Sequence, residues 1–157
     1  MGKGECPYVA ETVRTITEVG LKNCSSELLP ENSVIISTRA PIGHLAINKM
    51  QMAINQGCRG LVPLSLSNAH FIYYYLLRSK GALNDLGAGN TFKELSGSAL
   101  KSFAIAIPKP GEQQKIADCL SSLDGLIAAQ SEKLDALKTH KKGLMQQLFP
   151  AVEEVGV

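Results

Sequence analysis

The eight residues Ile107 to Gln114, "IPKPGEQQ", separate two kinds of sequence. Upstream, the apolar runs are short and rich in β-branched residues: "VIIS" at 34–37, "LAI" at 45–47, "GLVPL" at 60–64 and "FAIAI" at 103–107. Gly, Pro, Asn and Ser lie between them, which is the grammar of short strands and turns. Downstream, no proline follows Pro110 until Pro150, and Glu112 to Phe149 is rich in Leu, Ala, Lys, Gln and Glu. These residues lose little rotamer freedom in a helix.

The downstream segment also carries a period. Ile116, Leu120, Leu123, Ile127, Leu134, Leu137, Leu144 and Leu148 recur with alternating steps of four and three, and only Gln130 and Lys141 interrupt the series. That is a heptad seam of about five repeats. A helix from Glu112 to Leu148 would be about 55 Å long at ~1.5 Å per residue. A helix folded back over its own domain would need a wider apolar face than a 3.5-residue seam provides, and an isolated polar position in such a seam can fix register. The fold class expected is therefore α+β: a small globular domain with short strands and helices, followed by one long C-terminal coiled-coil helix. The expected boundaries are 1–108 for the domain, 109–150 for the helix and 151–157 for a tail.

Composition narrows the function. The chain has 157 residues, is 45% hydrophobic without tryptophan, and carries a formal net charge of +2. This suits one ordinary domain plus an extra element, and a mildly basic balance is compatible with nucleic acid without requiring it. The longest apolar run, around Phe71 to Leu77, is far below the ~20 residues needed to cross a bilayer, and the N-terminus has no basic region leading into an apolar core. The expectation is a cytoplasmic protein that is not membrane-bound. Cys6, Cys24, Cys58 and Cys119 are widely spaced, with no C-x-x-C pair and no histidine at ligand spacing, so reduced thiols and no metal are expected.

Within the first part, "AHFIYYYLLRSKGAL" predicts a shorter helix, with Phe71, Tyr74, Tyr75 and Leu77 or Arg78 at helical spacing and Gly81 placed to end it. Its tyrosines could stack bases, but in so apolar a helix they read better as rings packed on a core with hydroxyls at its margin. The glycines of "LGAGNTFKELSG" lack the G-K-[ST] ending of a phosphate loop, so nucleotide binding is rejected. Asn90, Thr91 and Lys93 there are hydrogen-bonding groups in a glycine-bounded loop, free either to meet a polyanion or simply to be solvated.

Catalytic constellations are missing. There is no G-x-S-x-G elbow, no acidic neighbour in sequence for His44, His70 or His140, no convincing carboxylate-lysine nuclease grouping and no "NPP[YF]" methyltransferase motif. The chain reads as a binder with no catalytic residues and no cofactor.

Taken in order, "GLKNCSSELLPENSVIISTRAPIGHLAI", "INQGCRGLVP", "FIYYYLL", "GNTFKELSGSALKSFAIAIPKPGEQQKIADCLSSLD" and "KLDALKTHKKGLMQQLFP" closely resemble the specificity subunit of type I restriction-modification enzymes. The likeness runs from about Ile16 to Pro150, and its most specific part is the join of "IPKPGEQQKIA" to a long helix ending "GLMQQLF". The resemblance implies a target recognition domain followed by a spacer helix. In that family two such halves pair their helices antiparallel, each domain reads one half of a split double-stranded DNA target, and methyltransferase subunits are held at the helical region. It also implies restriction subunits as partners. The chain has one domain and one helix, so a half-subunit or a fragment is expected. The domain looks short at its N-terminus, since the family's opening tryptophan has no counterpart before "CPYVAETV". An alternative is a truncated protein that occupies methyltransferase partners without reading DNA.

Under this resemblance Arg39, in "TRAPIG" between two strand-like runs, stands on a loop that Pro41 stiffens. Its guanidinium fits guanine O6 and N7, fits two phosphate oxygens equally well, and could instead pair with a carboxylate of its own domain. Lys22, Thr38, Arg59, Asn90, Thr91 and Lys93 are further DNA-contact candidates by type and loop position. One helix leaves its seam uncovered, which predicts an antiparallel homodimer through residues 112 to 149. Glu112 and Asp118 near the helix start and Lys138, Lys141 and Lys142 near its end favour opposed directions.

Overall fold

A computed structural model describes residues 7–87 and 93–149. The described residues divide into two compact units, one running Pro7–Ser121 and the other containing residues 122–149. The first unit is α+β. Its main sheet has four strands in the order β1-β4-β3-β6: β1 is Tyr8–Val9, β3 Val34–Ser37, β4 Leu45–Asn48 and β6 Cys58–Leu61. β1 runs parallel to β4, and the β4-β3 and β3-β6 pairs are antiparallel. A second, antiparallel pair joins β2 (Leu28–Leu29) to β5 (Met52–Ala53). Five helices complete the described chain: α1 Glu18–Lys22, α2 Ala69–Arg78, α3 Lys80–Asp85, α4 Gly97–Ser102 and α5 Pro110–Leu148.

Strand alternation divides the sheet faces. Val34, Ile36, Leu45 and Ile47 are buried and lie opposite one another in register, so they present one apolar face. Against it pack Phe71, Ile72, Tyr73 and Leu76 of α2, with Leu83 and Leu95, in a single core cluster. The other face carries Ile35, Ala46 and Gly60 in register. There a Cβ on Gly60 would stand 2.4 Å from the Leu29 methyl carbons, so glycine is what lets β2 lie against β6.

The α2 helix corrects the sequence reading in two respects. Its buried positions are Phe71, Ile72, Tyr73 and Leu76, while Leu77 and Arg78 are exposed. Gly81 does not end it: the cap is Ser79, and Gly81 lies inside α3. The tyrosines pack on or beside the core, and the Tyr74 hydroxyl donates to Ser121 Oγ at its margin. "FAIAI" also differs from expectation. It forms no strand, although Phe103 and Ile105 pack against the core from an extended segment.

Helix α5 starts at Pro110, one residue inside the expected boundary of 109 and two before the helix-rich composition begins at Glu112; Pro110 occupies a first-turn position where its missing N–H costs nothing. The first turn is tied to α2. The Gln113 side chain, 1% exposed, accepts from Asn68 N at 2.9 Å and donates to the carbonyls of Leu66 at 3.0 Å and Pro108 at 2.8 Å. Asn68 in turn caps α2 by accepting from Phe71 N and donates to Gln114 Oε1 at 2.8 Å. At the other side of α2, the Tyr8 hydroxyl and His70 Nε2 stand 2.7 Å apart, with the Lys49 ammonium 3.7 Å from the Tyr8 ring centre. Cys24, Cys58 and Cys119 are joined in no disulfide, and Cys6 lies outside the described residues. Among the described residues no helix is long and apolar enough to cross a membrane.

Candidate nucleic-acid interface

The β3-β4 connection, residues 38–44, is stitched from both sides. Thr38 N donates to Gly57 O and Leu95 N donates to Thr38 O, each at 2.8 Å, and Arg39 forms an antiparallel bridge with Glu94. At its base Ser37 Oγ accepts from His44 N and donates to Pro41 O, and Gly43 N donates to Ser37 O. Gly43 takes φ of +84°, a conformation that L side chains seldom adopt. The loop, the 55–57 turn and the 93–97 segment thus form one rim at the end of the main sheet.

Exposed cations gather there. Arg39 is on the loop, and its Cδ would lie 3.8 Å from a Cβ on Gly57. Arg59 is on β6, with Nε 3.8 Å from where a Gly97 Cβ would stand. Lys93 precedes the Glu94 bridge, with its Cβ near Gly87. Arg39 Nε donates to Glu94 Oε1 at 3.4 Å, but both side chains are about half exposed. A surface pair of this kind is worth ~0–1 kcal/mol, so the guanidinium is poised by it and not locked.

The other candidates fall differently. Thr38 is 1% exposed, with its hydroxyl buried and unpartnered, so its side chain does not face a ligand on this surface: its main chain holds the rim instead. Lys22 is exposed in the last turn of α1, and the contacts joining the rim do not include it. Asn90 and Thr91 lie outside the described residues. One cation escaped sequence reasoning: Lys80, exposed at the start of α3, has its Cγ 3.0 Å from the position of a Gly43 Cβ. Nothing in the local sequence connects Lys80 with the Arg39 loop, so only the fold reveals the neighbourhood.

The helix seam divides as well. Ile116 packs against the core of the first unit and Leu120 is partly buried, which corrects the reading of Ile116 as a free partner residue. Leu123, Ile127, Leu134, Leu137, Leu144 and Leu148 are exposed, at 41% to 73%.

The fold is thus a single α+β module with a rim of exposed cations, followed in the chain by the long helix α5. The type I restriction modification DNA specificity domain matches residues 2–139, and the chain belongs to that family. It is 39% identical over 145 residues to the type I restriction enzyme MjaIX specificity subunit of Methanocaldococcus jannaschii, covering 90% of this chain and 33% of that protein. To the EcoR124I/EcoR124II specificity subunit of Escherichia coli it is 29% identical over 126 residues, covering 76% of this chain and 31% of that one. The chain thus spans about a third of the length of these relatives. Solved structures share the fold. A chain from a study of assembly and conformational transition of the type I R-M system superposes with a TM-score of 0.67 at 24% identity, over 77% of this chain and 30% of that one. The S subunit from M. genitalium gives 0.54 at 23% identity, over 77% and 32%.

Proposed function

We propose that this chain is a non-catalytic DNA-reading module of a type I restriction-modification system. It recognises one half of a split target through the rim around Arg39, and works only with methyltransferase and restriction partners, the former held at the long helix. The domain boundary at 108/109 belongs to this proposal: recognition before it, assembly after it. The observation that carries the reading is Arg39, an exposed guanidinium on a loop fixed at both ends, with Arg59, Lys80 and Lys93 around the same rim. Such a group loses little conformational freedom on meeting a base edge or a phosphate. Its exposed partner Glu94 is easily exchanged for a nucleic-acid oxygen.

The exposed seam supports an antiparallel homodimer through a coiled coil of α5. Burying each leucine is worth about 1.5–3 kcal/mol, and several per helix outweigh the cost of association. A two-fold dimer would read a split palindrome, because half-sites mirror protein symmetry. The test reconstitutes the chain with the methyltransferase subunit of its system and measures binding to a randomised duplex library across salt concentrations. Site-specific binding that weakens as salt rises supports the proposal. A tight protein complex blind to sequence refutes it, and identifies instead a protein that occupies methyltransferase without reading DNA.

A further inference from the structure

We infer that the helix recognises a second copy of itself in one antiparallel register, the one that sets Gln130 against the partner's Lys141. This rests on the homodimer reading and adds to it which residues meet. The exposed part of the seam begins at Leu123 and ends at Leu148, because Ile116 packs on the domain core and Leu120 is partly buried. Along it the steps run four, three, four, three. Two opposed copies keep these steps aligned only where a position that opens a three-residue step faces one that closes it, so the allowed registers differ by whole heptads.

One of those registers maps the free seam onto itself. It opposes Leu123 to the partner's Leu148, Ile127 to the partner's Leu144, and Leu134 to the partner's Leu137. The two residues that interrupt the stripe, Gln130 and Lys141, then fall in the same layer, once on each side of the symmetry axis. There the Gln130 carbonyl oxygen can accept from the Lys141 ammonium, which gives each polar group a partner as it leaves water. Sliding by one heptad toward greater overlap sets Lys141 on the partner's Leu123 and Gln130 on the partner's Leu134, and asks Ile116 to pack twice. Sliding by one heptad the other way sets Gln130 on the partner's Leu148 and Lys141 on the partner's Leu137. An isologous interface requires that a surface complement itself, and the polar positions satisfy this in a single register. The two interruptions therefore act as a pair that selects the partner and its alignment.

The test uses the full chain with its native cysteines replaced by serine. Sedimentation comes first: a monomer at tens of micromolar, for this chain and for the unaltered one, overturns the dimer reading and the register with it. For a dimer, Gln130→Cys with Lys141→Cys should be joined by a short bis-maleimide in high yield, and Ile127→Cys with Leu137→Cys, which would meet in the more overlapped register, should be joined at least tenfold less. The reverse order, or equal yields, overturns the register while leaving the dimer standing. A second measurement avoids cysteines altogether. Gln130→Leu alone should change the dimer dissociation constant by less than about twofold, whereas Gln130→Leu with Lys141→Leu should tighten it tenfold or more. Tenfold tightening by the single change would mean that Gln130 faces an apolar residue, and would overturn the pairing.

Discussion

Replacing Gln113 with methionine tests whether hydrogen bonds, more than apolar contact, fasten the start of α5 to the domain. Methionine keeps the volume and the helix propensity, so the change isolates the amide. It removes three bonds at 2.8–3.0 Å and strands Asn68 N and the carbonyls of Leu66 and Pro108 in a site where the side chain is 1% exposed. At ~0.5–1.5 kcal/mol per bond, and more where a donor is left unpaired out of water, the loss should be about 3 kcal/mol. For a domain of this size that corresponds to a fall of roughly 10 °C in melting temperature. Urea unfolding followed by circular dichroism, at one fixed protein concentration, gives the difference directly. Gln114→Met is the control: its partners, Asn68 Nδ2 and Asp118, are reached from an exposed position, and the loss should stay under about 1 kcal/mol. A cost below about 0.5 kcal/mol for Gln113→Met would refute the assignment of the fastening to this amide.

Arg39→Ala should weaken specific DNA binding of the reconstituted complex by about 1–3 kcal/mol and relax preference at one position if a base is read, or weaken all sequences alike if a phosphate is met. Its folding stability should move by less than about 1 kcal/mol, since the Glu94 pair is exposed, and unfolding of the variant would contradict this. Gly60→Val should destabilise by roughly 1–3 kcal/mol because its side chain must displace Leu29, and wild-type urea resistance would show that β2 yields more easily than its packing suggests. His70 has its pKa lowered, first by burial and then by Lys49, with Asp118 opposing. As pH falls through the ordinary value of 6.5, the unfolded chain therefore takes up a proton that the folded chain does not. That contribution is whole above 6.5 and is lost on acidification, until the lowered native pKa is passed. His70→Gln should flatten the dependence of stability on pH across this window, and an unchanged slope would exclude His70 as its source.

Much of the architecture could be read from local signals. The division at "IPKPGEQQ" was visible because helix formers and a 3.5-residue period begin there together, and β3 and β4 because β-branched residues alternate within turn-bounded runs. What stayed hidden was set by distant partners. "FAIAI" carries strand-like residues but meets no strand, and the buried side of α2 is chosen by the sheet it covers, so neither can be found in a short window. Gln113 reads as an ordinary helix-surface residue until the carbonyls of Leu66 and Pro108 surround it. For the candidate interface, Arg39 and Arg59 were legible as cations beside turns. The burial of Thr38 and the approach of Lys80 to Gly43 depend on contacts across the fold.

The rim is joined by main-chain atoms: Thr38 to Gly57, Leu95 to Thr38, Glu94 to Arg39. Its geometry is therefore indifferent to most of the side chains it displays. Arg39, Arg59 and Lys93 can be exchanged with little effect on folding, since all three are exposed. A surface built this way can exchange its displayed side chains one at a time, with each step still folded, so the proposed reading of DNA can be altered without passing through a collapsed intermediate. The same separation makes these three positions the natural place for a randomised library that tests the proposed interface: most members should remain folded while their DNA preference varies.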